Sequence, residues 1–257
     1  MNFVKTRIQN RIGEIYLDRP EKRNALNAQF VQELMDAFTS LEKDANCKVI
    51  VLKSSGNVFC AGADLEYLQQ LQSFTLEENL EDSSHLMSLF KKIYTSPKII
   101  IAQIEGHAIA GGCGLATVCD FAFSIPEAKF GYTEVKIGFI PAIVMVILLR
   151  KIGETKAKEL LLTGDLFTAN QALEYGLINK VFEKSTLDTE VRKFAMNICD
   201  NTSEQSLAKT KEMIGIVQGM DFSEAMEYAA KQNARSRESD DCKKGIAAFL
   251  NKEKLSW

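Results

Sequence analysis

Histidine and proline are scarce: the 257 residues hold two histidines, His85 and His107, and four prolines. The six cysteines, Cys47, Cys60, Cys113, Cys119, Cys199 and Cys242, include no C-x-x-C pair. A zinc site would have to be gathered from scattered residues, so no metal is expected. No Pro-rich linker, low-complexity tract or internal repeat is visible. Neither sign of charge dominates: 31 basic and 34 acidic residues leave a formal net charge of -3. That balance lacks the basic footprint of non-specific nucleic-acid binding, and no nucleic-acid partner is expected. No apolar run approaches the about 20 residues that span a bilayer. The longest, Ala142 to Leu149, reads as a buried helix with Pro141 in its first turn. The segment Met1-Asn2-Phe3-Val4-Lys5 lacks the basic-then-apolar layout of a secretory signal. A cytoplasmic protein with reduced thiols is therefore expected, its cysteines packing as small core residues.

What is present is an ordinary soluble composition, 46% hydrophobic and 25% charged. Phe3 to Ile8 and Ile12 to Asp18 read as two strands of a hairpin turned at Asn10 and Arg11. A polar loop, Arg19 to Leu26, precedes a helical stripe at Phe30, Leu34, Ala37, Phe38 and Leu41. Val49 to Leu52 and Ile99 to Ile104 suit strands buried on both faces. Helical patterns fill most of 65–94, and Ser96-Pro97 stops them. An apolar helix is expected at Leu115 to Cys119, and a strand at Phe121 to Ile125. Beyond Ile137 the pattern is nearly all helical. Glycine stops fall at Gly164 and Gly176, and a last strand is placed at Ile178 to Val181. The organisation is an α/β body over 1–185 followed by a helical region over 186–257.

Two places share a pattern in which a buried strand meets small residues and then a helix. They are Phe59-Cys60-Ala61-Gly62-Ala63-Asp64 and Ala110-Gly111-Gly112-Cys113-Gly114. Small residues admit a ligand close to the backbone, and a helix start leaves N–H groups without internal partners. Two such sites facing one oxygen would form an oxyanion hole. Taken alone, the glycines fit tight packing equally well. They match neither a P-loop nor the G-x-G-x-x-G dinucleotide turn.

Lys22 to Asn27, Phe59 to Leu65, Gly106 to Asp120 and Phe130 to Gly138 together resemble the crotonase (enoyl-CoA hydratase/isomerase) family. They stand in the family's order and approximate spacing. The likeness continues through Ala169 to Ile178 and the Gly245 to Trp257 tail. The resemblance implies an α/β fold built as a spiral of ββα units with a helical C-terminal region. It implies an acyl-CoA thioester substrate, with coenzyme A as part of that substrate and no separate cofactor. It also implies a homotrimer or a dimer of trimers, in which the C-terminal region helps assembly and covers the acyl pocket. By the same resemblance, the N–H groups of Ala63 and Gly111 bind the thioester oxygen. The segment Ala61 to Leu65, including Asp64, joins the loop around Arg23 and Ala25 to hold coenzyme A. Gly112 and Gly114 line the second turn. Lys252 or Lys254 reaches the phosphates.

Glu134 follows Phe130-Gly131 and precedes an apolar helix. Burial there would raise its pKa; a salt bridge to Lys136 or another surface base is the competing reading, and the one that spacing alone favours. The resemblance assigns Glu134 the acid–base role. A second glutamate that typical hydratases carry is replaced by Gly114. The leading expectation is hydration of a short or branched 2-enoyl-CoA. The run from Glu134 to Ile143 and the segment Phe74 to Asp82 resemble a bacterial subgroup acting on 3-methylglutaconyl-CoA in leucine breakdown. The Gly114 position motivates a Δ3-Δ2 enoyl-CoA isomerase as the alternative. A non-catalytic acyl-CoA or RNA-binding protein is the second. His107, Cys60 and Cys113 have no placed partner and are read as structural.

Overall fold

The computed structural model describes residues 2–255 and 257. Met1, where the leader reading began, and Ser256, within the tail match, lie outside the described residues. β1 (Val4–Gln9) and β2 (Ile12–Leu17) form the expected hairpin. Asn10 and Arg11 turn it with φ of 53° and 65°, the paired positive angles of a type I′ turn. α1 (Ala28–Lys43) buries Phe30, Leu34, Ala37, Phe38 and Leu41, the stripe read from the sequence, and Val31 beside them. The Asn27 side chain caps it by accepting from Phe30 N. There follow β3 (Val49–Ser54), β4 (Val58–Cys60), α2 (Leu65–Leu71), α3 (Leu76–Thr95), β5 (Ile99–Ile104), β6 (His107–Ile109), α4 (Gly111–Val118), β7 (Phe121–Ser124) and β8 (Lys129–Gly131). A short 3-10 turn (Glu134–Ile137) leads to α5 (Ala142–Ile152), α6 (Glu154–Thr163), β9 (Phe167–Thr168), α7 (Ala169–Glu174) and β10 (Lys180–Val181). The chain ends in α8 (Lys184–Asn201), α9 (Glu204–Val217), α10 (Phe222–Ser236) and α11 (Asp240–Asn251).

The strands divide between two sheets. The larger has the order β1-β2-β3-β5-β7-β10, and the smaller β4-β6-β8-β9. Each successive ββ pair therefore puts its first strand in the larger sheet and its second in the smaller. β3/β4, β5/β6 and β7/β8 are three turns of one spiral. β3 and β5 lie parallel in register, Val49 opposite Ile99 and Val51 opposite Ile101. Ile50, Leu52, Ile100 and Ile101 are fully buried. Each such side chain contributes roughly 1.5–3 kcal/mol on burial, which is why these strands read as continuous apolar runs. In the smaller sheet β4, β6 and β8 run parallel, with Val58 opposite His107 and Ala108 opposite Phe130. Adjacent strands lie about 4.8 Å apart. The chain leaving β4, β6 and β8 thus emerges at one end of the sheet, side by side.

Several sequence expectations shift. The four strands of the smaller sheet were not resolved as strands by pattern, because each spans three residues or fewer and shows no period. The helix expected at Leu115 to Cys119 begins four residues earlier, at Gly111. Glycine's poor helix propensity is overridden there by packing, since the α4 backbone lies against β4. Pro141 is the N-cap of α5 and not part of its first turn. α5 buries only Val144 and Leu148, while Met145, Val146 and Leu149 are exposed in this single chain. The boundary at 185/186 falls in the first turn of α8. That helix lays Leu187, Val191, Ala195, Ile198 and Cys199 into the same core as the sheets. No helix among the described residues is long and apolar enough to cross a membrane.

Candidate active site

Three chain segments leave the ends of β4, β6 and β8, and the sequence-predicted residues Ala63, Gly111 and Glu134 sit on them. The strand order β4-β6-β8 places Gly111 between the other two. After β4, Gly62 takes φ 88°, a conformation open to glycine at no cost. Ala63 then forms an isolated parallel bridge with Leu26. Leu26 N donates to Gly62 O at 2.7 Å, and Asp64 N donates to Leu26 O at 2.8 Å. In an extended segment neighbouring residues face opposite ways, so the N–H of Ala63 is directed away from Leu26. Among the described residues no main-chain acceptor takes it, and Ala63 is exposed. The free donor therefore comes from a strand bridge, two residues ahead of α2.

After β6, Ala110 adopts φ 51° and ψ −125°, a conformation of real cost for a residue with a Cβ. Its N–H donates to Gly131 O at 2.7 Å, which ties the turn to β8. Gly111 is the first residue of α4, where an N–H has no intrahelical acceptor. Here the donor does come from a helix start, so the two turns reach a similar result by different geometry. They touch. A Cβ built on Gly62 would lie 3.5 Å from Gly111 N and 2.9 Å from Ala110 Cβ. Gly112 brings α4 onto β4 so tightly that a Cβ there would lie 2.2 Å from Cys60 O.

Glu134 opens the 3-10 turn beyond β8. Its Oε2 is buried and has no hydrogen-bond partner. Burial raises its pKa above the ordinary glutamate value, only partly opposed by its own main-chain N–H. Glu134 stands two residues beyond Tyr132, whose hydroxyl lies 2.6 Å from Thr117 Oγ1 on α4. Among the described residues no base pairs with Glu134, and Lys136 Nζ is turned to Asp165 Oδ1 at 2.8 Å. Lys136→Ala is accordingly expected to leave the acid limb of the pH–rate profile in place, since an exposed pair elsewhere exerts little field here. An upward shift of that limb in the variant would mean that Lys136 does act on Glu134.

The remaining predicted residues gather around the first turn. Ala61 N donates to Arg23 O at 3.1 Å, joining the loop to the segment after β4. Arg23 and Asn24 hold φ of 53° and 54°. Asn24, fully buried, fixes them: its amide donates to Ser55 O and Val58 O, and its Oδ1 accepts from Arg19 N. Ala25 is buried, while Arg23 and Leu65 are exposed. The Asp64 carboxylate is engaged within the protein, by Arg19 Nη1 at 2.7 Å and by Glu66 N at 2.9 Å as the cap of α2. Lys252 and Lys254 are both exposed beyond the end of α11.

Gly114 faces a filled space. A Cβ there would meet Val144 Cγ1 at 2.2 Å and Phe90 Cε1 at 2.9 Å. The space over Gly114 is thus occupied by side chains of α5 and α3. Neither this plug nor Leu26 as the bridge partner was legible from residue pattern, because the contacts join distant segments. All six cysteines are free, and burial pushes Cys60 and Cys113 up to about 12, which suits packing and not nucleophilic chemistry. His107 is exposed, and its Nδ1 accepts from Lys129 N. A surface cleft of about 510 Å³ is bounded by Glu42, Lys98, Glu204 and Asp241 and contains none of these residues.

The enoyl-CoA hydratase/isomerase family model matches residues 7–257. A Thermus thermophilus protein assigned by name to the enoyl-CoA hydratases is 41% identical over 241 residues, 94% of this chain and 95% of its own. A crotonyl-CoA hydratase of Syntrophomonas wolfei is 34% identical, covering 97% of this chain and 95% of its own. The crystal structure of an enoyl-CoA hydratase from Shewanella pealeana superposes with a TM-score of 0.93 at 28% identity, over 99% of this chain and 96% of that one. Spiral, strand order and sequence agree: this chain is an enzyme of the enoyl-CoA hydratase/isomerase family, with the crotonase fold.

Proposed function

We propose that this enzyme hydrates a short or branched 2-enoyl-CoA, 3-methylglutaconyl-CoA among the candidates. In this reading the N–H groups of Ala63 and Gly111 donate hydrogen bonds to the thioester oxygen as it gains charge. Glu134, ionised, takes a proton from water as the oxygen adds to Cβ, then returns it to Cα. The observation that carries the reading is the buried, unpartnered Oε2 of Glu134 at the start of the turn after β8. A carboxylate oxygen left without a donor is costly, and substrate water is the partner that would use it. The relative named crotonyl-CoA hydratase supports the reaction.

Arg23, Ala25, Ala61, Asp64 and Leu65 would hold coenzyme A, Asp64 through its backbone since its carboxylate is engaged. Gly112 and Gly114 would floor the acyl end, and Lys252 or Lys254 would meet the phosphates. Coenzyme A enters only as part of the substrate. Phe222, Met226, Ile246, Phe249 and Leu250 are exposed on α10 and α11, and a trimer or a dimer of trimers would cover such apolar surface.

Loss of enoyl absorbance with crotonyl-CoA or 3-methylglutaconyl-CoA is the expected result. The rate should rise with pH through a midpoint above the ordinary carboxylate value, because the working form is the ionised one and burial raises the pKa. A pH-independent rate down to the ordinary carboxylate range would count against Glu134 as the base. The filled space over Gly114 favours a second reading, isomerisation, since one carboxylate suffices to carry a proton between Cα and Cγ. Conversion of a 3-enoyl-CoA without incorporation of oxygen from labelled water would select it.

A further inference from the structure

Tyr132 is fully buried and is among the largest side chains that the core encloses completely. Its hydroxyl lies 2.6 Å from Thr117 Oγ1. Thr117 has one hydroxyl proton, and it donates that proton to Cys113 O at 2.7 Å. Counting donors fixes the direction of the other bond: Tyr132 Oη donates to Thr117 Oγ1. A tyrosine at the exit of β8 is therefore bolted to α4 through Thr117, whose own hydroxyl bonds back to Cys113 O one turn earlier. Tyr132 stands two residues before Glu134, and Cys113 two residues after Gly111. The Tyr132–Thr117 bond thus adds a side-chain tie between the exit of β8 and α4 to the main-chain bond from Ala110 N to Gly131 O.

The backbone beyond this point is held by its own turn, Lys136 N donating to Thr133 O and Phe139 N to Glu134 O, and no side chain holds the carboxylate. The turn from Glu134 to Ile137 is followed by exposed Phe139 and Ile140. Burial keeps the Tyr132 hydroxyl protonated, far above its ordinary value, so it stays a donor across the working pH range. A buried hydroxyl with a single acceptor is a directional bond and not merely filler.

We propose that Tyr132, through its bond to Thr117, is a positioning residue that sets the Glu134 carboxylate at working distance from the amide of Gly111. The inference rests on the reading of Glu134 as the proton carrier. It does not depend on whether the net reaction is hydration or isomerisation, because both require proton movement at Cα.

The test measures exchange of the α-proton of butyryl-CoA with deuterated water, at saturating and limiting substrate, for the wild type and five variants. Tyr132→Phe keeps the ring and removes the donor. Thr117→Val removes the acceptor at nearly the same volume, and Thr117→Ser keeps it. A displacement near 1 Å costs about 100-fold. The maximal exchange rate is therefore expected to fall roughly 10- to 100-fold in Tyr132→Phe and in Thr117→Val. KM should stay within about twofold, and Thr117→Ser should restore the rate. The double variant Tyr132→Phe/Thr117→Val should fall no further than either single one, since both cut one bond. Thermal melts accompany each assay, and Thr117→Val supplies the cut from the other side if Tyr132→Phe does not fold. A wild-type maximal rate in Tyr132→Phe or in Thr117→Val, or losses that multiply in the double variant, would overturn the positioning role. Glu134→Gln is the fifth variant. If it alone loses exchange, the positioning role fails and the proton-carrier reading stands; if it retains exchange, the reading beneath the inference fails.

Discussion

Glu134→Gln should lose turnover by roughly 10²- to 10⁴-fold, the usual worth of a positioned acid–base group, while becoming more resistant to heat. The two effects have one cause. The wild-type carboxylate is buried, one of its oxygens has no donor, and burial raises its pKa above the ordinary value. A carboxyl whose folded pKa lies above its unfolded one releases its proton more readily when the chain unfolds. Ionisation therefore favours the unfolded state. This cost is absent below the ordinary glutamate value, grows as pH rises from there, and is complete above the folded pKa. Glutamine has the same shape and never ionises. Its melting temperature should match the wild type in acid and exceed it at pH 8. CoA binding should survive, since the contacts assigned to coenzyme A lie on the β4 side. Kinetics with melts at two pH values check both halves. An unaffected rate would remove Glu134 from the mechanism. A melting gap that does not change with pH would mean that the charge of Glu134 is not what costs stability.

Gly112→Ala is the second large effect, and it acts through backbone contact alone. The new Cβ would stand 2.2 Å from Cys60 O and 2.7 Å from both the carbonyl carbon and Cβ of Cys60. None of these is the loose end of a side chain, so α4 must move off β4 by about 1 Å to reach contact distance. Overpacking of this kind costs about 1–3 kcal/mol. At roughly 2–4 °C per kcal/mol for a chain this large, the melting temperature should fall by several degrees. The displacement also carries Gly111 N–H away from its station. A lost oxyanion donor is worth roughly 10²- to 10³-fold in turnover, and the rate should drop on that scale in the protein that remains folded. Gly111→Ala is the control for stability. Its Cβ would meet nothing closer than Leu26 Cδ1 at 3.6 Å, so its melting temperature should stay near that of the wild type. Equal melting temperatures for Gly112→Ala and Gly111→Ala would show that the contact to Cys60 is not as rigid as drawn.

Much of the larger sheet was legible because it is buried on both faces. Ile99 to Ile104 has no polar face, and such a run of β-branched residues admits few other readings. The smaller sheet was not. Val58–Cys60, His107–Ile109 and Lys129–Gly131 are too short to carry a period, yet their parallel order is what sets three segments side by side. The residues of the site were found by resemblance more than by pattern. Spacing alone put Lys136 as close to Glu134 as any base, and only the fold shows it turned to Asp165. Tyr132 carried no local signal at all, because its partner Thr117 lies on a helix whose first four residues, three of them glycine, did not read as helical. The plug of Val144 and Phe90 over Gly114 was hidden for a similar reason: it joins α5 and α3 to α4 across the core.

The most direct measurement is a crystal structure of the Glu134→Gln protein with crotonyl-CoA bound. The thioester oxygen is expected at about 3 Å from both Ala63 N and Gly111 N, with the substituted side chain over the Cα–Cβ bond. A thioester oxygen bound to neither amide, or a double bond lying away from position 134 with open solvent between them, would contradict the account.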